Sequence, residues 1–149
     1  MSLRLMVAVL HLLTLPLGFA AIVTRSRALR APVNEIALRR ALAADNWWGI
    51  AAVLWLVTGA WRAFGGLEKG TLYYVSNPLF HAKFGLFGLM VLLELWPMVS
   101  LIRWRLALRR GASPDTSRAG TFAVISAVEA ALVLVVVVLA AALARGVGV

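Results

Sequence analysis

The stretch that decides the fold is the last long apolar run, from about Ala119 to Ala144, which reads AGTFAVISAVEAALVLVVVVLAAALA. Glu129 is its only charged residue. A helix needs about 20 consecutive, mostly apolar residues to cross the hydrocarbon layer of a bilayer. The run is long enough to do so, and it therefore predicts a membrane-spanning helix.

Three earlier runs have the same character. With the last run they predict four spans, over about 3–24, 41–61, 78–101 and 119–144. The chain of 149 residues is 62% hydrophobic, whereas soluble domains are about 45–50% apolar. We therefore predict an all-α fold, an integral-membrane four-helix bundle that forms a single membrane domain over residues 1–149.

Positive charge is concentrated in two of the loops. The arginines of loop one are Arg25, Arg27, Arg30, Arg39 and Arg40, and those of loop three are Arg103, Arg105, Arg109, Arg110 and Arg118. Because cytoplasmic loops carry the excess of Lys and Arg, loops one and three are predicted to be cytoplasmic and both termini to face outside. The net charge of +9 then reflects topology in a bacterial inner membrane. The predicted partner is the lipid bilayer and not nucleic acid.

Cysteine is absent from the chain, which excludes disulfides, thiolate metal sites and thiol catalysis. The sequence also lacks the phosphate-binding, metalloprotease and nucleophile-elbow motifs of soluble enzymes. Whether the protein is an enzyme is left open by these patterns.

Ionisable residues inside the spans are the first functional candidates, since placing them in a bilayer is costly. They are His11, Asp45, His81, Lys83, Glu94 and Glu129. Two histidines on facing helices are the axial ligands with which membrane bundles hold a b-type haem. His11 and His81 are thus predicted to bind haem b, and the basic Lys83, Arg62 and Lys69 to pair with its propionates.

Other interpretations of the histidines stay open. They can pack by hydrogen bonding across helices, transfer protons, or join Met1, Met6, Met90 and Met98 as soft copper ligands. Glu94 is predicted to pair with an arginine near the cytoplasmic surface, Arg40 or Arg103, and Asp45 to lie beside Arg39. Glu129 has no obvious basic partner at its depth, which favours a proton path or a buried hydrogen bond.

The loop before the third span carries the most distinctive string of residues. Its members are Glu68-Lys69-Gly70, Tyr73-Tyr74, Asn77-Pro78, Phe80-His81 and Lys83, followed later by Pro97 and Arg103-Trp104-Arg105. In these residues the chain resembles an uncharacterised family of small bacterial membrane proteins known only as a domain of unknown function. The resemblance implies a topology but no activity.

Shorter motifs resemble two further families. Leu10-His11 and His81-Ala82-Lys83 are similar to HemJ-type protoporphyrinogen oxidases and CopD-like copper-resistance proteins. The first of these resemblances implies a helical bundle that binds b haem, with the matching histidines and lysine important for activity. The Asn-Glu-x-Pro segment of the oxidases is missing before the final helix, where Gly120-Thr121-Phe122-Ala123 stands instead.

The sequence therefore favours a haem-binding membrane protein for electron transfer or porphyrin oxidation, working with a membrane redox partner. The alternatives are a non-catalytic structural or accessory membrane protein, and a component for copper or small-solute transport. Self-association is compatible with each of them.

Overall fold

The computed structural model describes residues 2–30, 32–66 and 71–147. Within these ranges the protein is built from helices alone: α1 (Leu3–Arg30), α2 (Glu35–Phe64), α3 (Thr71–Ser76), α4 (Pro78–Arg109) and α5 (Ala119–Ala144). All but the short α3 are long and apolar enough to cross a membrane. The predicted all-α, four-span fold is confirmed. Glu68, Lys69 and Gly70 of the distinctive string lie outside the described residues.

The helix ends follow from local chemistry. Asn34 and Asn77 are the N-caps of α2 and α4, and their side chains accept hydrogen bonds from the backbone N–H groups of Ala37 and Leu79. Such caps satisfy N–H groups that have no partner inside the helix. After α4, Gly111 takes a positive φ of 72°, the left-handed conformation that ends many helices. These local interactions set the starts of α2 and α4 and the end of α4.

The four long helices form a ring that is open on one side. α1 packs along both α2 and α5, and α5 packs along α4. By contrast, α2 and α4 approach each other at only a few positions, and no Cα atom of α1 lies within 8 Å of one of α4 within the described residues. The order around the bundle is α2, α1, α5, α4, and the gap lies between α2 and α4.

The bundle has two chemically different ends. At the terminal end, the Tyr73 hydroxyl donates to the Leu143 carbonyl, and the Asn77 amide donates to the Val147 carbonyl. These bonds place the end of α5 beside α3, and Arg4 donates to the carbonyl of Gly66 at the same end. At the basic end lie exposed arginines: Arg27, Arg30, Arg39, Arg40, Arg103, Arg109, Arg110 and Arg118. That the basic end is cytoplasmic stays a prediction.

Single cysteines can test this orientation, because the natural chain has none. Ser113→Cys at the basic end should react with a membrane-impermeant maleimide only after intact cells are opened, since the arginine-rich loops are retained inside. Thr71→Cys at the terminal end should react in intact cells. Both side chains are exposed, so labelling in detergent serves as the control. The reverse pattern would contradict the predicted orientation.

Gly18 lets α1 and α2 approach closely. A Cβ at this position would lie 3.1 Å from the Cβ of Ala51 and 3.6 Å from the ring of Trp48. Nothing lies within 4 Å of the corresponding position on Gly85. Gly18, two turns after His11 on α1, is therefore used for helix packing, whereas Gly85, one turn after His81 on α4, faces open space.

We expect Gly18→Leu to cost about 1–3 kcal/mol of stability, since overpacking forces neighbouring groups apart. Gly85→Leu is the matched control and should leave stability nearly unchanged. The free energy of unfolding in a mixed-micelle denaturation series, followed by circular dichroism, measures both. Equal effects at the two glycines would show that the α1–α2 contact is not sterically limiting.

Candidate functional site

Arg25 lies among the four long helices and is a fully enclosed charge. Its side chain is 0% exposed, although it follows the first apolar run and was predicted to belong to a cytoplasmic loop. That prediction was wrong, because α1 continues to Arg30. Ile22, Arg25, Ser26 and Leu29 are all buried and share one helical face, so the helix turns Arg25 inward.

The guanidinium of Arg25 uses every donor it has. Nε donates to Oγ of Ser126 at 2.9 Å, and Nη1 donates to Oδ1 of Asp45 at 2.8 Å. Glu94 receives a bond from each Nη at 2.6 Å, and Nη2 also donates to Oε2 of Glu129 at 2.9 Å. A guanidinium has five N–H groups, and all five are matched. One side chain thus joins α1 to α2, α4 and α5.

A second arginine extends the network towards the basic end. Nη2 of Arg105 donates to Oδ2 of Asp45 at 2.6 Å and to the carbonyl of Leu42 at 2.9 Å. Asp45 therefore bridges two arginines. We call the set Arg25, Asp45, Glu94, Arg105 and Glu129 the charge cluster. Within the cluster, Glu129 lies ten residues after Ala119, the first residue of α5. At a helical rise of 1.5 Å per residue, this is a depth of about 15 Å.

The charge cluster is not balanced. It contains three carboxyl groups and two guanidinium groups. Glu129 is fully buried, and its Oε1 has no hydrogen-bond partner among the described residues. Its Oε2 shares the Nη2 donor with Glu94, so two acidic side chains lie close together. The arrangement leaves one negative charge and one free acceptor if all five groups are ionised.

Beside the charge cluster, the gap between α2 and α4 forms a cleft of about 90 Å³. We call it the α2–α4 cleft. It is lined by Trp48, Ala52, Trp55, Phe87, Met90, Val91 and Glu94. Arg25 is inaccessible, but the Glu94 side chain is 17% exposed. Glu94 is therefore the point at which the charge cluster meets the cleft.

His11 lies beyond the other end of the cleft. Its ring centroid is 6.2 Å from that of Trp55, and Nδ1 is 2.7 Å from Oγ1 of Thr58. Because the Thr58 hydroxyl donates to the Leu54 carbonyl, Nδ1–H is the donor in the histidine bond. Arg62 and Lys83 lie close enough to His11 to act on it electrostatically.

Residues 3–148 match the family described as predicted membrane protein, DUF2214. The chain belongs to the DUF2214 family. No curated protein and no solved structure is significantly similar to it. The resemblance to an uncharacterised membrane family is thereby confirmed for the DUF2214 chain, whereas the likeness to the HemJ and CopD families is not shown by any match.

His81 makes separate contacts in the DUF2214 chain. It is exposed, and its Nε2 donates to the Val75 carbonyl at 2.7 Å. It lies on α4, whose backbone does not come close to that of α1, the helix of His11, within the described residues. Lys83 turns to the ring of Phe80, with Nζ 5.9 Å from the centroid. The predicted haem residues thus have different neighbours: His11 bonds Thr58 of α2, whereas His81 bonds Val75 and Lys83 faces Phe80.

This geometry does not support a bis-histidine haem site, because the Nε2 of His81 is already engaged and His11 contacts α2. Haem binding stays a prediction of the sequence alone. In the described part of the DUF2214 chain, no group of three or more His, Asp or Glu side chains is arranged to hold a metal ion. The three acids of the charge cluster point at Arg25 instead.

The predicted partners of the acidic residues need correction. Glu94 pairs with Arg25, whereas Arg40 and Arg103 are exposed. Glu129 also has Arg25 as a basic partner. Asp45 bonds Arg25 and Arg105, and Arg39 pairs with Glu35 on the surface. The sequence analysis named these three acids as candidates but missed Arg25, the arginine that bonds all of them.

Proposed function

We propose that this DUF2214 chain moves protons across the membrane and that the charge cluster holds the proton in transit. One observation carries the proposal: a buried cluster has one carboxyl group more than it has guanidinium groups, and Oε1 of Glu129 has no hydrogen-bond partner in the part of the chain that the structure describes. A bound proton balances the charge and gives the orphaned carboxyl a hydrogen to donate. Ionisable side chains at membrane depth frequently belong to ion and proton pathways.

Access to the cluster from two directions supports the proposal. Towards the basic end, Arg105 is 27% exposed and bonds Asp45. Towards the terminal end, the α2–α4 cleft extends from Glu94 to Trp55, whose ring neighbours His11. A proton therefore enters or leaves through Asp45 on one side and through Glu94 and the cleft on the other.

Proton flux into liposomes tests the proposal. Purified protein is reconstituted with a pH-sensitive dye inside, and a potassium gradient with valinomycin sets an interior-negative voltage. We expect acidification faster than in protein-free liposomes. Glu129→Gln keeps the shape of the side chain but cannot exchange a proton, and it should lower the flux by roughly tenfold or more.

The matched control is Glu35→Gln, which removes an acidic group from an exposed ion pair with Arg39 and should leave the flux unchanged. Monodisperse elution of each variant in detergent establishes that it is folded. Wild-type flux at the protein-free level, or equal flux from the wild type and Glu129→Gln, would overturn the proposal. In either case the charge cluster would be a purely structural tie between helices.

A further inference from the structure

We infer that the α2–α4 cleft binds a small monovalent organic cation of the alkylammonium type, and that this cation competes with the proton of the charge cluster. The competition rests on the proposed proton function, whereas the binding itself does not. The ligand would occupy the gap in the helix ring, next to Glu94 of the charge cluster.

The lining of the cleft suits a methylated ammonium ion. Trp48, Trp55 and Phe87 contribute aromatic rings, and Met90 contributes a polarizable sulfur. Aromatic faces attract cations, and cages of such rings are the usual site for quaternary ammonium groups. A strongly hydrated inorganic cation would instead need several oxygen ligands, and the cleft offers only the carboxyl of Glu94.

Charge decides between a cation and a neutral apolar ligand. Glu94 is the only ionisable residue among the described residues that line the cleft. The cluster behind it carries one negative charge in excess when its proton has left. One monovalent cation restores neutrality, whereas a lipid chain leaves the charge uncompensated in a medium of low dielectric constant. Proton and cation are thus alternative ways to balance the same site.

Size limits the ligand. A volume of about 90 Å³ equals about three water molecules at roughly 30 Å³ each. This suits tetramethylammonium and excludes bulky polycyclic cations from the enclosed part. The cleft is open laterally, because α2 and α4 scarcely meet and Val91 at the cleft is exposed.

Equilibrium binding of radiolabelled tetramethylammonium to purified protein tests the inference. We expect saturable binding at alkaline pH. As the pH is lowered, the affinity should fall about tenfold per pH unit in the range where one proton replaces the cation. Unlabelled tert-butanol, which is similar in size but neutral, should not displace the label. Trp55→Leu and Glu94→Gln should each weaken binding at least about tenfold, and Trp61→Leu, exposed and outside the cleft, should not.

The outcomes separate the two proposals. Absence of saturable binding, or displacement by tert-butanol as strong as by the unlabelled cation, overturns the cation site. Binding that does not depend on pH keeps the site but overturns the competition. Proton flux through Glu129 without any tetramethylammonium binding leaves the proposed function standing and removes only the ligand. Trp55→Leu keeps the test decisive if Glu94→Gln does not fold.

Discussion

Replacing Arg25 by leucine should destabilise the bundle by more than about 3–5 kcal/mol, the usual cost of removing one member of a buried ion pair. The effect is large because three carboxyl groups lose their shared donor at once. Glu94 and Glu129 would then lose their basic partner at membrane depth, and Asp45 would keep Arg105 alone. Expression level, elution profile in detergent and thermal midpoint measure the loss.

Two variants control for this result. Arg27→Leu removes the same charge from an exposed position two residues away and should change the thermal midpoint little. Arg25→Lys retains the charge but not the planar fork of five donors, and its stability should be intermediate. An Arg25→Leu protein as stable as the wild type would show that the three acids are neutral and need no basic partner. This result would contradict the role of Arg25 as their shared donor.

Glu94→Leu is expected to have the second largest effect, a loss of about 3–5 kcal/mol in the free energy of unfolding. Both oxygens of Glu94 accept from Arg25 at 2.6 Å, which makes this carboxyl the two-pronged partner of the guanidinium. Such paired bonds to an ionised donor are among the strongest in proteins. Chemical denaturation in mixed micelles measures the change.

Glu94→Gln preserves the size of the side chain and should lose less than Glu94→Leu. The control is Glu35→Leu, since Glu35 belongs to an exposed ion pair with Arg39, and surface pairs contribute at most about 1 kcal/mol. If Glu94→Leu and Glu35→Leu cost the same, the fork between Arg25 and Glu94 would not be a principal tie of α4 to the bundle.

The fold was predictable because apolar length is a strong and local signal. The run from Ala119 to Ala144 coincides with α5, and Asn34 and Asn77 mark the starts of α2 and α4 as their cap chemistry predicts. The length of α1 was less accessible. Arginines that follow an apolar run are typical of a stop-transfer segment, and three of them follow Thr24.

The centre of the candidate site was missed for the same reason. Arg25 was counted with Arg27 and Arg30 as loop charge. A helical stripe, however, continues through Gly18, Ile22, Arg25 and Leu29, all buried, and an equivalent stripe on α5 includes Glu129. Matching the two stripes predicts a charge pair. Which acids converge on Arg25 depends on the packing of α1 against α5 and α2, and sequence periodicity does not contain that information.

The contacts of the two histidines were also not predictable from the sequence. Both were selected as ionisable residues inside the spans, but residue type and depth do not determine the hydrogen-bond partners. Thr58 on α2 and the Val75 carbonyl before α4 receive their ring N–H groups. Those acceptors depend on the α1–α2 interface and on the short helix α3, neither of which is evident from apolar runs.

The distribution of charge between the two halves of the ring bears on how the chain is inserted during synthesis. The first pair of spans, α1 and α2, carries Arg25 and Asp45, which neutralise each other at 2.8 Å. The second pair, α4 and α5, carries Glu94, Glu129 and Arg105, and so has an acid in excess. Hydrocarbon disfavours that excess, and Arg25 donates hydrogen bonds to both Glu94 and Glu129. We therefore expect α1 and α2 to remain stable in the bilayer before the later helices are inserted, whereas α4 and α5 need Arg25 of α1. A chain truncated after α2 should be degraded more slowly than a chain that lacks α1.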